Sequence, residues 1–153
     1  MTLLYLDYQN ESDLTDIMSF LENLLSEPYS RWTYRFFVAE FPQFCVLVRS
    51  PETNTLLGCI IGRIEQIATA QLGYIGMVAV DPKLRGQGIG HHLVSLVLQR
   101  FKDYGCKQVY LETESSNLAS LKLYLNFGFV KDVLLQRYYL NGNDAYRMTL
   151  VFD

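Results

Sequence analysis

Asp81-Pro82-Lys83-Leu84-Arg85-Gly86-Gln87-Gly88-Ile89-Gly90 is the stretch from which the rest of this chain is best read. An apolar run, Leu72 to Val80, precedes it and predicts a strand that Asp81-Pro82 stops. Leu93, Val94, Leu96, Val97 and Phe101 follow at helical spacing, and Gly105 is placed to end that helix. Glycines at alternate positions let the backbone turn sharply and let a ligand come close to bare N–H groups. The first turn of the helix leaves donors unpaired and carries a positive partial charge. With Arg85 beside them, these features predict an anion site suited to phosphates. The plainer reading is a helix entry that needs small residues for packing. A Walker A loop is a poor match, because His91-His92 stand where Lys and Ser or Thr belong. A dinucleotide fingerprint fails too: its third glycine would fall on His91 or Leu93.

Outward from this turn, the N-terminal side predicts a strand over 2–8 and an amphipathic helix over 13–25. Leu14, Ile17, Met18, Leu21, Leu24 and Leu25 form its apolar face, with Ser12 as N-cap. Glu27-Pro28 ends that helix. Ser30 caps a second, aromatic-rich helix to about Ala39. Strands are expected over 44–48, 56–64 and 72–80. On the C-terminal side, 109–113 reads as a strand and Asn117 starts a short helix ending near Asn126. Two last strands, about 133–140 and 145–152, are joined by Asn141-Gly142-Asn143-Asp144, a hairpin signal. This order is mixed α/β with much antiparallel pairing, not a regular βαβ alternation.

The 153 residues fit one domain, and half of them are hydrophobic, which excludes disorder as the main state. With 13 Lys+Arg against 16 Asp+Glu the net charge is −3, the wrong sign for a nucleic-acid binder. Cys45, Cys59 and Cys106 are scattered and form no Cys-x-x-Cys pair, so no metal framework is expected and a reducing compartment is. No apolar run approaches a membrane span, and the first residues lack the basic start of a signal peptide. A soluble, cytoplasmic protein is the expectation.

Arg85-x-x-Gly88-x-Gly90 after a strand resembles the acetyl-CoA pyrophosphate loop of the GNAT acetyltransferases. Asn117-Leu118-Ala119-Ser120-Leu121-Lys122-Leu123-Tyr124, followed by Gly128-Phe129, resembles that family's later coenzyme segment, with Ser120 where Ala is usual. A narrower resemblance, to the NatC class of N-terminal protein acetyltransferases, runs through Ser26-Glu27-Pro28-Tyr29-Ser30, Thr33-Tyr34-Arg35, Gly73-Tyr74-Ile75-Gly76-Met77, Leu111-Glu112-Thr113-Glu114 and Arg137-Tyr138-Tyr139-Leu140-Asn141. The resemblance implies a single GNAT-like domain over 1–153, α/β (α+β), with a mixed, largely antiparallel twisted sheet flanked by helices. It implies acetyl-CoA as cosubstrate and no metal. The coenzyme residues it implies are Met77, Val78, Ala79, Val80, Arg85, Gly86, Gln87, Gly88, Ile89, Gly90, Asn117, Ser120 and Tyr124.

Glu112 is the candidate base, acting through a water, and strand alternation sets Glu112 and Glu114 on one face with Thr113 on the other. Two solvated glutamates are the alternative. Tyr124 is the candidate acid, since a phenol of pKa about 10 stays protonated at neutral pH. With 11 tyrosines in the chain, packing is the ordinary role of any one of them. By resemblance, a backbone N–H near Val78 serves as oxyanion donor, which requires the strand to splay or bulge there. The implied peptide site comprises Leu25, Glu27, Pro28, Tyr29, Tyr74, Tyr138 and Tyr139, and accepts Met followed by Leu, Ile or Phe. The NatC resemblance also implies one large and one small auxiliary subunit and action at the ribosome, with a partner surface near residues 14–41. His91 and His92 point about 100° apart on a helix and make a poor metal pair. Acetylation of lysine or small amines, and a non-catalytic acyl-CoA-binding subunit, remain as alternative readings.

Overall fold

Strand β2 (Cys45–Arg49) is buried at every position, so it must be covered on both faces. The computed structural model, which describes residues 2–25 and 29–153, has helices on both sides of one sheet. Its remaining strands are β1 (Leu4–Asp7), β3 (Leu56–Ile67), β4 (Ala70–Val80), β5 (Gln108–Glu114), β6 (Val130–Leu135) and β7 (Ala145–Val151). The helices are α1 (Glu11–Glu22), α2 (Arg31–Glu40), α3 (Ile89–Tyr104) and α4 (Leu118–Asn126). The seven strands lie in the order β1-β2-β3-β4-β5-β7-β6, and of the paired neighbours only β4 and β5 run parallel. This is the α/β arrangement that the resemblance implies, with a mixed and mostly antiparallel sheet.

Alternation along the strands sorts the core into two layers. Val46, Val48, Ile60, Ile75, Val109, Leu111 and Met148 pack under α3 and α4, around Phe101. Cys45, Leu47, Cys59, Ile61, Met77 and Ala79 pack under α1 and α2, against Leu14, Ile17, Tyr34 and Phe37. The three cysteines are all buried and free. Burial pushes the thiols of Cys45 and Cys59 up to about 12.

Local chemistry fixes the element ends. Ser30 accepts from the Thr33 N–H at 3.3 Å and starts α2; Asn117 accepts from the Ser120 N–H at 3.1 Å and starts α4. Gly105 ends α3 in the left-handed region, at φ 105°. Two ends differ from the sequence reading. Asn10, not Ser12, caps α1, because its side chain takes the Asp13 N–H at 3.1 Å. The helix then stops at Glu22, which frees Leu24 and Leu25 to turn towards a cleft on the molecule. The last hairpin also differs. Strand β6 ends at Leu135, and residues 136–144 form a long connection instead of a tight turn. Arg137 there takes a φ of 51°, and its N–H donates to Asp144 Oδ1 at 2.9 Å, which breaks the ladder and lifts Tyr138 and Tyr139 out of the sheet.

Candidate functional site

Two features of β4 open the middle of the sheet. Its pairing with β5 covers only Leu72 to Tyr74, opposite Gln108 to Tyr110, and stops there. Its register with β3 shifts between Ile61 and Gly62, leaving Gly76 as the extra residue of a bulge. The bulge turns Val78 and Val80 towards the α3/α4 side and Met77 and Ala79 towards α1/α2. The Asp81 N–H donates to Leu57 O at 2.8 Å, which marks that pair as hydrogen-bonded. Hydrogen-bonded and non-bonded pairs alternate in an antiparallel ladder, so the Val78 and Val80 N–H groups face away from β3, into the gap beside β5.

A cleft of about 690 Å³ opens at this gap, lined mostly from the turn before α3, α3 and α4 and reached by Leu24 and Leu25 beyond the end of α1. The predicted coenzyme residues Val78, Ala79, Val80, Arg85, Gly86, Gly88, Ile89, Gly90, Asn117, Ser120 and Tyr124 line it, together with Leu25 from the predicted peptide set. Met77 and Gln87 do not line it. Met77 is buried under α1 and α2, where the bulge directs it. Leu24, Leu84, His91, Ala119, Lys122, Leu123 and Asn126 line the cleft as well, and the sequence reading does not include them. For Lys122, Leu123 and Asn126 a signal existed, since they share α4 with Ser120 and Tyr124. For Leu24 the end of α1 had to be known.

The mouth of the cleft is backbone. Gly86 and Gly88 both have φ of 81°, a conformation that side chains disfavour, and a Cβ on either would meet no atom within 4 Å. Their role is therefore conformational and not a matter of packing. The first helical bond of α3 runs from the His92 N–H to Gly88 O, so the N–H groups of Ile89, Gly90 and His91 have no partner within the helix. Arg85 is exposed and has no ion-pair partner among the described residues. Unpaired donors, a helix N-terminus and a free guanidinium fit a pyrophosphate. Tyr124 is buried with its ring edge-on to Phe129, and burial pushes its phenol above the ordinary tyrosine value. His91 stacks on Phe127 and His92 packs against Tyr5; among the described residues no group of three or more His, Cys, Asp or Glu stands together to hold a metal.

The opposite face of the sheet carries a different surface. Tyr74, Tyr110 and Glu112 point to the α1/α2 side, where the Tyr74 ring packs against Phe37 of α2. The Glu112 side chain is 8% exposed. Its Oε1 accepts from the Tyr74 hydroxyl at 2.7 Å and from the Tyr138 hydroxyl at 3.4 Å. Burial, and then the bond to the carboxylate, push the Tyr74 phenol well above its ordinary range. Burial and Glu112 raise Tyr138 in the same way, and burial and Glu114 raise Tyr139. Tyr29 lies near enough to Tyr74, Tyr138 and Tyr139 to contribute to each shift. Tyr138 and Tyr139 pack edge to face. The structure thus gathers Tyr29, Tyr74, Glu112, Tyr138 and Tyr139 from four separate segments. Glu27 and Pro28 lie outside the described residues. Glu112 is not among the cleft-lining residues.

Residues 11–129 match the model of the acetyltransferase (GNAT) family. The N-alpha-acetyltransferase 30 of Xenopus laevis is 44% identical over 97% of this chain and 54% of its own length. That of Saccharomyces cerevisiae is 36% identical over 95% of this chain and 85% of its own length. The chain thus spans about half the length of the vertebrate relative and most of the yeast one. Among solved structures, a chain of the NatC complex bound to Gag peptide and CoA superposes with a TM-score of 0.96, at 33% identity over 100% of both chains.

Proposed function

The chain belongs to the acetyltransferase (GNAT) family, alongside the N-alpha-acetyltransferase 30 relatives, and from that premise we propose that it acetylates the N-terminal α-amine of proteins beginning Met-Leu, Met-Ile or Met-Phe, using acetyl-CoA. The observation that carries the reading is the opening between β4 and β5. A phosphate-suited cleft opens at it, and an aromatic cluster built round a carboxylate lies on the α1/α2 face. The likeness to a chain of a CoA- and peptide-bound NatC complex supports the same pairing of ligands.

The bound thioester supplies an activated acetyl group. Each remaining requirement falls to a residue of this chain. The α3 N-terminus and Arg85 hold the pyrophosphate. The Val78 N–H faces the gap, where it meets negative charge developing on the carbonyl oxygen. An α-amine of pKa about 7.7–8.0 is already neutral in roughly a tenth of molecules at pH 7, so a mild base suffices. Glu112 takes the proton, through a water. Tyr124, kept protonated by its raised pKa, offers its O–H to the departing sulfur. Leu25, Tyr29, Tyr74, Tyr138 and Tyr139 receive the peptide. An apolar pocket discriminates by about 1–3 kcal/mol per methylene-scale change, so preference among second residues is graded.

Trp32 and Phe36 on α2 are 75% and 50% exposed, which supports a partner surface near residues 14–41. We assign that surface to NatC-type auxiliary subunits, one large and one small, with action in the cytoplasm at the ribosome. The test is acetyl transfer to a panel of peptides starting Met-Leu, Met-Asp and Ser-Glu, with an α-blocked lysine peptide, read by mass. Modification mainly of Met-Leu is expected. Preference for the lysine peptide overturns the substrate class, and coenzyme binding without transfer, even with auxiliary subunits present, overturns the activity.

A further inference from the structure

The hydrogen bonds of Glu112 are one-sided. The Tyr74 hydroxyl at 2.7 Å and the Tyr138 hydroxyl at 3.4 Å both go to Oε1 among the described residues. Oε2 is therefore the oxygen with lone pairs to spare for a proton. Arg147 stands beside it. Glu112 and Arg147 are direct cross-strand partners on β5 and β7, and Arg147 Nε lies 3.6 Å from Oε2. That spacing is an ion pair and too long for a hydrogen bond. Arg147 Nε is cut off from solvent and has no hydrogen-bond partner. The guanidinium lies over the Tyr110 ring, 5.7 Å from its centroid. Tyr110 is itself held, since its hydroxyl donates to Glu65 at 2.6 Å, and Glu65 pairs with Arg63 at 3.0 Å. Among the described residues, Arg147 thus has the Tyr110 ring beneath it and one carboxylate, Glu112, paired with it.

We propose that Arg147 is a positioning residue for Glu112, holding Oε2 turned towards the incoming amine while the tyrosines hold Oε1. A surface cross-strand ion pair contributes under about 1 kcal/mol and would matter little. Here the guanidinium is 41% exposed but the carboxylate only 8%, so loss of the one cation paired with it among the described residues is felt. The inference rests on the reading of Glu112 as the base, and the experiment separates the two.

The full chain, alone or with auxiliary subunits, is assayed on a Met-Leu peptide as wild type, Glu112→Gln, Arg147→Gln, Arg147→Ala and the double variant Glu112→Gln/Arg147→Gln. Arg147→Gln is expected to lower kcat/KM by about ten- to a hundredfold, the loss of one contact to a charged group, with acetyl-CoA affinity unchanged. The double variant is expected to be no slower than Glu112→Gln alone. Methylguanidinium is expected to restore part of the rate of Arg147→Ala and none of Glu112→Gln. Independently of turnover, the Arg147 Nε–H proton should exchange slowly by NMR in the wild type and fast in Glu112→Gln. If Glu112→Gln is as fast as wild type, the base assignment fails and Arg147 loses its role with it. If Glu112→Gln is slow but Arg147→Gln is not, or if the two losses multiply, the base stands and the inference about Arg147 is overturned.

Discussion

The two sides of the β4–β5 opening are built by opposite means. On the α3/α4 side the contacts are backbone: two glycines at φ 81°, three helix N–H groups, and a strand edge turned outward by a bulge. On the other side the contacts are side chains: phenols, a carboxylate and a guanidinium, brought from β4, β5, β7 and the 136–144 connection. A backbone site is written in a contiguous motif, because turn geometry is local. A side-chain site depends on register between strands that are distant in sequence. The two surfaces should therefore fail separately under mutation.

The largest expected effect breaks the side-chain face alone. Glu112→Gln should lower kcat by about 10²–10³, within the range of a lost general base, with acetyl-CoA affinity unchanged by calorimetry. Loss of coenzyme binding in that variant would merge the two surfaces into one. Next comes the strand that serves both. A Cβ on Gly73 would stand 2.7 Å from the ring of Phe101, which is fully buried and stacked on Phe44 at 4.6 Å. Gly73→Ala should therefore cost about 1–3 kcal/mol through overpacking, or roughly 3–10 °C in Tm by differential scanning calorimetry.

Gly88→Ala attacks the backbone face alone. The new Cβ meets nothing within 4 Å, so the penalty is the left-handed conformation, about 1–2 kcal/mol. Relaxing that strain moves the N–H cradle, and the KM for acetyl-CoA should rise about tenfold with the peptide KM unmoved. The smallest effect is a control far from both faces. Ala68, in the β3–β4 turn, holds a φ of 52°. Ala68→Gly should stabilise the fold by about 0.5–1 kcal/mol, seen as a slightly higher Tm with kinetics unchanged.

The same contrast explains what the sequence made legible. The turn from Asp81 to Gly90, the caps Ser30 and Asn117 and the stop at Gly105 are local devices, and each stands where its residue type predicts. The helix and strand order was readable because β2 and the first half of β3 carry apolar runs bounded by turn residues. Met77 is grouped with the cleft by resemblance, as part of the run Met77 to Val80, and the extra residue at Gly76 turns its side chain to the other layer. Asn141-Gly142 reads as a tight hairpin by itself. In the structure Asp144 captures the Arg137 N–H, and the connection lengthens. Arg147 had no signal at all until the β5–β7 register set it opposite Glu112.

The most direct test of the division is hydrogen exchange, followed by mass spectrometry, on the free chain, with acetyl-CoA, and with acetyl-CoA plus a non-reactive Met-Leu peptide analogue. Acetyl-CoA is expected to protect the segments carrying Val78 to His91 and Asn117 to Asn126 and to leave Tyr138 and Tyr139 unchanged. The peptide analogue is then expected to protect Tyr29, Tyr138 and Tyr139. Protection of Tyr138 and Tyr139 by acetyl-CoA alone, with Arg85 to His91 unaffected, would contradict the account.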